Sequence, residues 1–474
     1  MQRSAGAPPA GFCAAPWIEA VVRISGDVLP CCRAGVVFGN VESATLAEIW
    51  RGRIARDFRS RIGAGQFPSP ECERCYADGT HTTLRKDLDV LIARSWSHYA
   101  DACKSAGRKP DSRLCKAIAP FHEIVRHATR NGASAAPSRR LIKAIFACRL
   151  DSLPPAGRTA LRQLRRAARA CLDFIENRPR PKLVATMRQA NLVAICNARC
   201  TYCVGLHTGE IVRGQASGGR RYKLMTTEQT EAALARPDDL TGFFMNGSEF
   251  LLHPQWRRIA EQFAAKGVLL SLSTNGMLLT PAASEFLVAS NVLGNVNFSL
   301  DGATRATVER IRVGVRYDVL VDHVRAFMRI LAASKVSVPV SLSMVLLADN
   351  VAEAPDLVRL ADTLRDGRNL ALQVTYFVLT DADNPGYRAF RARQRIDVGD
   401  PEARPFLAAA ADLGDALGVP THYSYAGTLR QALDPGRSAA MARGCGRRDP
   451  WRPRVRLPRL LGAIFARRTA GPAS

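Results

Sequence analysis

The sequence predicts an α/β fold, a wound sheet or a partial (β/α)6 TIM-like barrel, preceded by a small cysteine-rich domain and an α-helical insert. Two observations lead to this prediction. Within residues 181–400, six short apolar runs alternate with helical patterns, as expected for parallel strands joined by crossover helices. Before them, residues 10–85 contain five of the 13 cysteines in short segments rich in Gly and Pro. In such barrels the chemistry lies at the C-terminal ends of the strands.

Four regions are predicted in chain order. They are the cysteine-rich domain at 10–85, a basic helical insert at 86–180, the barrel at 181–400, and a helix, strand and basic tail at 401–474. The 474-residue length suits several domains. The six predicted barrel strands are 183–187, 242–247, 268–274, 296–302, 336–347 and 370–379.

The charge is strongly positive, with a formal net charge of +25. Residues 101–180 hold 18 Lys and Arg against 6 Asp and Glu, which leaves RNA binding open as an alternative. The insert lacks the interleaved aromatic residues that a base-stacking surface needs. Residues 446–474 hold eight Arg against one Asp, and an amphipathic helix on an anionic membrane is an alternative for this tail.

The cysteines are expected to work in a reducing compartment. No window of about 18 uncharged apolar residues predicts a transmembrane helix, and the N-terminus has no apolar run of signal-peptide length. We therefore expect a cytoplasmic protein, in which cysteines are metal ligands or buried thiols rather than disulfides.

The segment CNARCTYC, at residues 196–203, directly follows the first predicted barrel strand. The thiolates of Cys196, Cys200 and Cys203 can hold three corners of a 4Fe–4S cluster, which usually takes four cysteines. The open fourth iron is then a binding position, by the logic of an open catalytic metal site. A zinc loop with a distant fourth ligand is the alternative.

This Cys-x3-Cys-x2-Cys pattern, with Tyr202 before the third cysteine, resembles the radical S-adenosylmethionine (radical SAM) superfamily. The resemblance implies a 4Fe–4S cluster coordinated by three cysteines and by SAM, and an external one-electron reductant of the flavodoxin or ferredoxin type. Reductive cleavage of SAM would give a 5′-deoxyadenosyl radical that abstracts hydrogen from a substrate. The protein would position these parts and exclude water and oxygen.

Three further segments resemble SAM-binding motifs of that family. MNGSEFLLHP, at 245–254, resembles the Gly-Gly-Glu-Pro motif, which implies that Gly247, Ser248 and Glu249 bind the methionine amine. Ser248 replaces a glycine of that motif, and Phe250 replaces its proline.

By the same resemblance, STNGMLL at 273–279 implies that Thr274 and Asn275 lie near the ribose and methionine of SAM. NFSLDGATRATVERIRVG, at 297–314, implies that Ser299 bonds the ribose hydroxyls and that Arg312 pairs with the SAM carboxylate. Arg310 is the alternative to Arg312, and Asn350 fits either the family's polar turn after strand five or a helix cap.

The N-terminal cysteines resemble a second module. FCAAPW, GDVLPCCRAG and PSPECERCYADG resemble the SPASM/twitch domain, which carries auxiliary iron–sulfur clusters. The resemblance implies one auxiliary 4Fe–4S cluster, with zinc as the alternative metal and with either Cys31 or Cys32 spare; the candidate ligands are Cys13, Cys31, Cys32, Cys72 and Cys75. This domain precedes the barrel instead of following it, so it has to fold back near the core.

The other candidates have plainer predictions. Cysteines without metal-ligand spacing are predicted to be buried small residues: Cys103, Cys115, Cys148 and Cys171. His207 is predicted to be a loop or surface histidine. The leading functional hypothesis is a radical SAM enzyme acting on a peptide or protein. The alternatives are a radical SAM enzyme of a small-molecule or cofactor pathway, an RNA-binding modification factor, and an iron–sulfur protein that binds SAM without turnover.

Overall fold

The structure is a computed structural model with two compact units, Met1–Leu433 and Asp434–Ser474. It describes residues 11–31, 33–77, 155–182, 187–190, 192–208, 212–213, 224–233, 243–245, 248–266, 268–334, 336, 338–365, 372–379, 384–423 and 428–434, with isolated positions between 96 and 147. All the elements named below lie in the first unit.

The fourteen strands of the described residues are β1 Glu19–Val22, β2 Asp27–Leu29, β3 Gly39–Asn40, β4 Met187–Ala190, β5 Ile195–Cys196, β6 Arg199–Cys200, β7 Val212–Arg213, β8 Phe243–Met245, β9 Leu269–Thr274, β10 Leu293–Ser299, β11 Arg312–Val313, β12 Val340–Val345, β13 Leu372–Phe377 and β14 Thr421–Tyr423.

The α-helices of the same residues are α1 Ala15–Ile18, α2 Leu46–Arg51, α3 Arg53–Gly63, α4 Pro70–Ala77, α5 Pro155–Ile175, α6 Val204–Thr208, α7 Thr227–Ala233, α8 Trp256–Ala265, α9 Pro281–Ala289, α10 Arg305–Ile311, α11 Tyr317–Ala333, α12 Ala354–Leu364, α13 Pro385–Gln394, α14 Arg404–Leu417 and α15 Leu429–Leu433.

One ten-stranded sheet dominates the first unit, in the order β14-β13-β12-β10-β9-β8-β4-β1-β2-β3. Six strands of this sheet lie side by side in chain order, and each adjacent pair is parallel: β4, β8, β9, β10, β12 and β13. These six strands with their intervening helices confirm the predicted α/β architecture. Strand β14 extends the sheet in parallel beyond β13.

Alternation along the central strands separates an apolar face from a polar one. In β10, Val296 and Phe298 are fully buried, whereas Asn297 and Ser299 on the opposite face are half-buried. Phe298 packs edge-on against Phe327 of α11, with ring centroids 5.7 Å apart. The apolar face therefore lies against the helices, and the other face is the interior of the barrel.

Three predicted strands differ from the structure by at least three residues at one end. Strand β12 is Val340–Val345 rather than 336–347. The first barrel strand is at Met187–Ala190 rather than at 183–187, and residues 183–186 lie outside the described residues. Strand β10 begins at Leu293, three residues before its predicted start, and its pairing with β9 shifts register between Leu293 and Asn295. This irregularity hides the alternation on which the prediction depended.

The cysteine-rich domain joins the barrel by backbone pairing. Strand β1 runs parallel to β4, with Glu19 opposite Met187 and Val22 opposite Ala190. Strands β2 and β3 continue antiparallel from β1, so this domain provides one edge of the barrel sheet. The structure thus meets the expectation that the domain folds back onto the core.

A buried arginine fastens the cysteine-rich domain to the chain that leads into the barrel. Arg59 of α3 is fully buried and lies over the ring of Trp50 at 4.4 Å. Its guanidinium donates to the carbonyl oxygens of Pro16 at 2.6 Å, Trp50 at 2.8 Å and Pro179 at 3.2 Å. Trp17 Nε1 adds a bond to Arg178 O at 2.7 Å. The segment before β4 is therefore held by the N-terminal domain.

Other predictions fall partly outside the described residues. Cys103 is buried, as predicted. Cys171 lies in α5, but its side chain is not described, and Cys115 and Cys148 lie outside the described residues, as does the basic tail from 435 onward. Within the described part of the chain, no helix is long and apolar enough to cross a membrane.

Candidate functional site

The three-cysteine loop is anchored at the C-terminal edge of the barrel sheet. Cys196 ends β5, and Cys200 ends β6, which pairs antiparallel with β11. In that pairing Cys200 lies opposite Arg312, and Thr201 N–H donates to Ile311 O at 2.9 Å. The segment after α10 therefore fixes the position of the loop.

The three thiols are half-buried and near one another. Burial raises the pKa of the Cys196 thiol, and it raises the pKa of Cys200 to about 12, although Arg312 acts against both shifts. The thiols are close enough to affect one another electrostatically. Even so, no three His, Cys, Asp or Glu side chains among the described residues are already arranged to hold a metal ion.

Glu249 is a buried carboxylate that faces the end of the next strand. It is 1% exposed and follows β8 by four residues. Thr274 Oγ1 donates to it at 3.0 Å and the Asn275 N–H at 2.9 Å. Burial raises the pKa of this carboxyl group to about 7, although these hydrogen bonds and Arg312 oppose the rise. Glu249, Thr274 and Asn275 thus come together, as predicted for neighbouring strand ends.

Asn275 also connects this group to the cysteine loop. Its Nδ2 donates to Asn197 Oδ1 at 2.7 Å and lies 3.8 Å from Cys196 Sγ. The Ala198 N–H donates to the same sulfur at 3.4 Å. The acid, the amide and a cluster cysteine therefore form one connected group.

Other predicted SAM contacts lie around this group. Ser248 Oγ donates to Val193 O and thereby ties the altered motif to the chain before β5. Gly247 lies outside the described residues. Ser299 is the last residue of β10 and pairs with Ser343 of β12. Ser299 is on the interior face, where a ligand could reach it.

Tyr202 and Arg312 are joined by a residue that the sequence analysis did not select. Tyr202 Oη donates to Asp301 Oδ2 at 2.6 Å, and Arg312 Nη1 donates to Tyr202 Oη at 2.7 Å and to Asp301 Oδ2. The side chains of Asp301 and Arg312 are 1% and 6% exposed. The only sequence signal for Asp301 was its place in the SLDG segment.

Backbone geometry explains why the Asp301 carboxylate can reach both Tyr202 and Arg312. Its φ of +62° is in the left-handed region, which Asp tolerates better than most residues. Its Oδ1 accepts the Val345 N–H at 2.7 Å, and its carbonyl accepts Asn350 Nδ2 at 2.9 Å. Asn350 therefore fastens this turn, in addition to accepting the Leu347 N–H at 2.9 Å.

His207 is exposed, as predicted, and lies on the outer side of the cysteine loop. Its Nε2 donates to Thr201 O at 2.8 Å, and its ring packs against Tyr387 at 5.3 Å and Phe390 at 6.1 Å. Helix α13, which the sequence analysis missed, thus covers the loop from outside. Its first residues, PGYRAF, contain aromatic residues but no metal or catalytic motif.

The N-terminal cysteines are held by aromatic and polar contacts. Cys72 and Cys75 lie on α4, and Ser69 Oγ donates to Cys72 Sγ at 3.5 Å. Phe12 precedes Cys13 in the sequence, and Tyr76 follows Cys75. Their rings pack against each other and against Phe67, with ring centroids 5.4 to 5.6 Å apart. Cys13, Cys31, Cys72 and Cys75 are all half-buried, and Cys32 lies outside the described residues.

Comparison with known protein families agrees with this geometry. The family model described as the radical SAM superfamily matches residues 191–361. These residues therefore form a radical SAM domain. A model described as SPASM, an iron–sulfur cluster-binding domain, matches residues 13–76, so the SPASM domain precedes the radical SAM domain in this chain.

Known relatives are distant. The chain is 28% identical over 172 residues to mycofactocin maturase MftC of Mycobacterium tuberculosis, covering 36% of this chain and 40% of that one. It is 30% identical over 138 residues to an AdoMet-dependent heme synthase of Methanosarcina barkeri, covering 28% and 34%. The SuiB structure of Streptococcus suis with S-adenosylmethionine aligns over 65% of this chain and 60% of that one, with 11% identity and a TM-score of 0.39. The chain thus spans about two fifths of the length of the maturase.

The radical SAM domain implies a 4Fe–4S cluster and SAM, and the SPASM domain implies an auxiliary cluster. The residues at the barrel edge suit the 4Fe–4S cluster and SAM of the radical SAM domain. Cys196, Cys200 and Cys203 provide thiols on one loop, and Glu249 provides an acid beside them. Arg312 Nε is buried without a hydrogen-bond partner among the described residues, so a donor remains for an acceptor at this site.

The raised pKa of Glu249 predicts a pH-dependent stability. The folded chain holds this proton more tightly than the unfolded chain, so the favourable contribution is full below about pH 4.5 and is lost as pH rises to about 7. A shift of this size corresponds to about 3 kcal/mol. We expect the stability difference between wild type and Glu249→Gln to change by about that amount between pH 5 and 8 in metal-free protein. Urea unfolding at both pH values measures it.

Glu353→Gln is the matched control. Burial raises the pKa of Glu353, but its hydrogen bonds to Thr307, Ala303 and Thr304 outweigh this and lower it below the usual value. Its favourable contribution is therefore lost only at acidic pH, and the difference from wild type should be flat between pH 5 and 8. Equal pH profiles for the two variants would contradict the assignment of the buried proton to Glu249.

Proposed function

We propose that this chain is a radical SAM enzyme that modifies a peptide or protein. The observation that carries the proposal is the meeting of the three-cysteine loop with Glu249, Asn275 and Arg312 at the C-terminal ends of successive parallel strands. This is the edge at which β/α barrels place their chemistry.

The residues at this edge have complementary tasks. The cysteine loop would hold the cluster, Glu249 would accept the methionine ammonium, and Arg312 has an unused donor for a carboxylate. When bound, the cluster and SAM supply one-electron cleavage of a carbon–sulfur bond and a strong acceptor for a hydrogen atom. The aromatic contacts of α13 would hold the back of the loop in place.

The interior of the barrel favours a neutral, hydrogen-bonding substrate. Asn297 Nδ2 donates to Ser273 Oγ at 3.2 Å and to Ser343 Oγ at 3.0 Å, and Ser341 Oγ donates to Asn297 Oδ1 at 2.7 Å. Strand registers place neutral polar side chains in two adjacent rows. The first row spans four strands and the second spans three: Ser273, Asn297, Ser341 and Gln373, then Ser299, Ser343 and Thr375. Such walls suit peptide amides better than carboxylates or phosphates.

The SPASM domain and the likeness to a maturase support a peptide or protein as substrate. A second candidate, a small-molecule or cofactor-pathway reaction, is supported by the 30% identity to an AdoMet-dependent heme synthase. An external one-electron reductant of the flavodoxin or ferredoxin type completes the proposal. A reducing compartment such as the cytoplasm would preserve both clusters.

The first test is SAM cleavage. We expect anaerobically reconstituted protein with dithionite to form 5′-deoxyadenosine, quantified by mass spectrometry, and Cys196→Ala/Cys200→Ala/Cys203→Ala to lose at least 100-fold of this product, because no thiolate then remains to hold the cluster. Cys103→Ala is the matched control, since this buried cysteine lies outside the site and should leave the product unchanged. A full complement of iron with no product would instead indicate an iron–sulfur protein that binds SAM without turnover.

A second experiment separates the two substrate classes. The reconstituted protein would be incubated with the short peptide encoded nearest to its gene and, in parallel, with porphyrin precursors. A SAM-dependent mass change confined to the peptide supports the proposal. A change confined to the porphyrin would support the small-molecule candidate, and retention of RNA that falls steeply with salt would support the RNA-binding alternative.

A further inference from the structure

Asp301 and Arg312 form a buried ion pair, and the proposed function gives this pair no role. It lies directly beside the cysteine loop, because Arg312 is paired with Cys200 across the β6–β11 ladder. Only one nitrogen of Arg312 is used in its bonds to Asp301 and Tyr202. A pair of this kind usually contributes little net stability, since its desolvation cost is close to its attraction. A role other than stability is therefore worth testing.

The two charges act in opposite directions on the neighbouring sulfur. Arg312 lies opposite Cys200 in the β6–β11 ladder, its Nη1 donates to Asp301 Oδ2, and the two side chains are 6% and 1% exposed, so both charges are buried beside this sulfur. In a buried site such interactions are screened much less than at the surface.

We propose that Asp301, Tyr202 and Arg312 form an electrostatic unit that sets the reduction potential of the cluster held by Cys196, Cys200 and Cys203. Arg312 favours the reduced cluster, which carries one more negative charge, and Asp301 opposes it. Tyr202 fixes the distance between them by bonding to both. Tyr202 is therefore a positioning residue, which acts through Arg312 and Asp301. The inference rests on the proposed function only for the presence of this cluster.

Removing the positive charge and removing the negative charge should shift the midpoint potential of the cluster in opposite directions. Arg312→Gln should move the cluster's midpoint potential to more negative values, and Asp301→Asn should move it to more positive values. The double variant Asp301→Asn/Arg312→Gln should return close to wild type, because both charges are gone. Tyr202→Phe should shift the potential least among the single variants, since it removes no charge.

The experiment is a redox titration of reconstituted full-length protein without SAM, followed by electron paramagnetic resonance. The spectrum of Cys196→Ala/Cys200→Ala/Cys203→Ala is subtracted to remove the auxiliary cluster. Tyr317→Phe is the matched control. Its hydroxyl donates to Ala303 O at 2.6 Å, in the same segment between β10 and α10 as Asp301, and this bond involves none of the three residues of the electrostatic unit. It should leave the potential unchanged.

Two outcomes would overturn the inference. Shifts of the same sign for Arg312→Gln and Asp301→Asn would show a general disturbance of the loop rather than an electrostatic effect. No shift without SAM, together with weakened SAM binding in Arg312→Gln alone, would restrict Arg312 to the SAM carboxylate. In either case wild-type SAM cleavage would still stand, and a wild-type cluster that cleaves no SAM would still permit the titration.

Discussion

Arg59→Ala should lower the free energy of unfolding of the N-terminal domain by about 4 kcal/mol and release its auxiliary iron. The substitution leaves three carbonyl oxygens, of Pro16, Trp50 and Pro179, without their charged donor. Each buried acceptor left without a partner costs about 1–3 kcal/mol, and the empty space beneath Trp50 adds to the loss. Urea unfolding followed by tryptophan fluorescence, with iron content per chain, measures both effects.

Arg61→Ala is the matched control on the same helix. Arg61 is half-exposed, and its side chain pairs with Asp57 at 3.0 Å, an exposed pair worth at most about 1 kcal/mol. Its loss should leave stability and iron content nearly unchanged. If Arg59→Ala behaved like Arg61→Ala, the guanidinium would not be what joins the domain to the segment before β4.

Gly276→Ala should destabilise the barrel by about 3 kcal/mol and weaken SAM binding. Gly276 has a φ of +77°, and a methyl group there would overlap Leu320 Cδ1 in the fully buried core. Backbone strain and overpacking each cost about 1–3 kcal/mol. The turn that would shift also presents Thr274 and Asn275 to Glu249, so the acid loses its partners.

Gly418→Ala separates the two causes. Gly418 ends α14 with a φ of +66°, but the nearest atom that a methyl group would meet there is 4.0 Å away. It should cost about 1 kcal/mol from strain alone and leave SAM binding unchanged. Denaturant midpoints and SAM dissociation constants of both variants decide the matter. Equal costs would mean that Leu320 adapts freely.

Much of the barrel could be predicted because its strands and helices have local patterns. The alternation in LLSLST, at 269–274, and the helical repeat of 317–333 each identify an element from a few neighbouring residues. The place of Glu249 beside Thr274 followed from the rule that parallel strands end at one edge. The domain boundaries, and the roles proposed for the individual site residues, stay predictions.

What the sequence could not predict depends on partners far apart in the chain. Asp301 resembles an ordinary turn residue until the fold places Arg312 and Tyr202 against it. Asn197 is one of the unspecified positions of the Cys-x3-Cys-x2-Cys pattern, and α13 carries no motif. Their importance comes only from contact with Asn275 and His207. Short strands such as β1 have too few residues for a pattern, and their pairing is decided by packing.

The pairing of β1 with β4 also affects how the chain is made. Residues 19–22 leave the ribosome long before residues 187–190, so β1 must wait for its parallel partner while the insert is synthesised. Contacts between such distant residues slow folding and leave an unpaired strand edge exposed in the meantime. A barrel expressed from residue 181 alone would keep that edge open on β4 permanently. The SPASM domain therefore also protects the barrel against association through its own sheet.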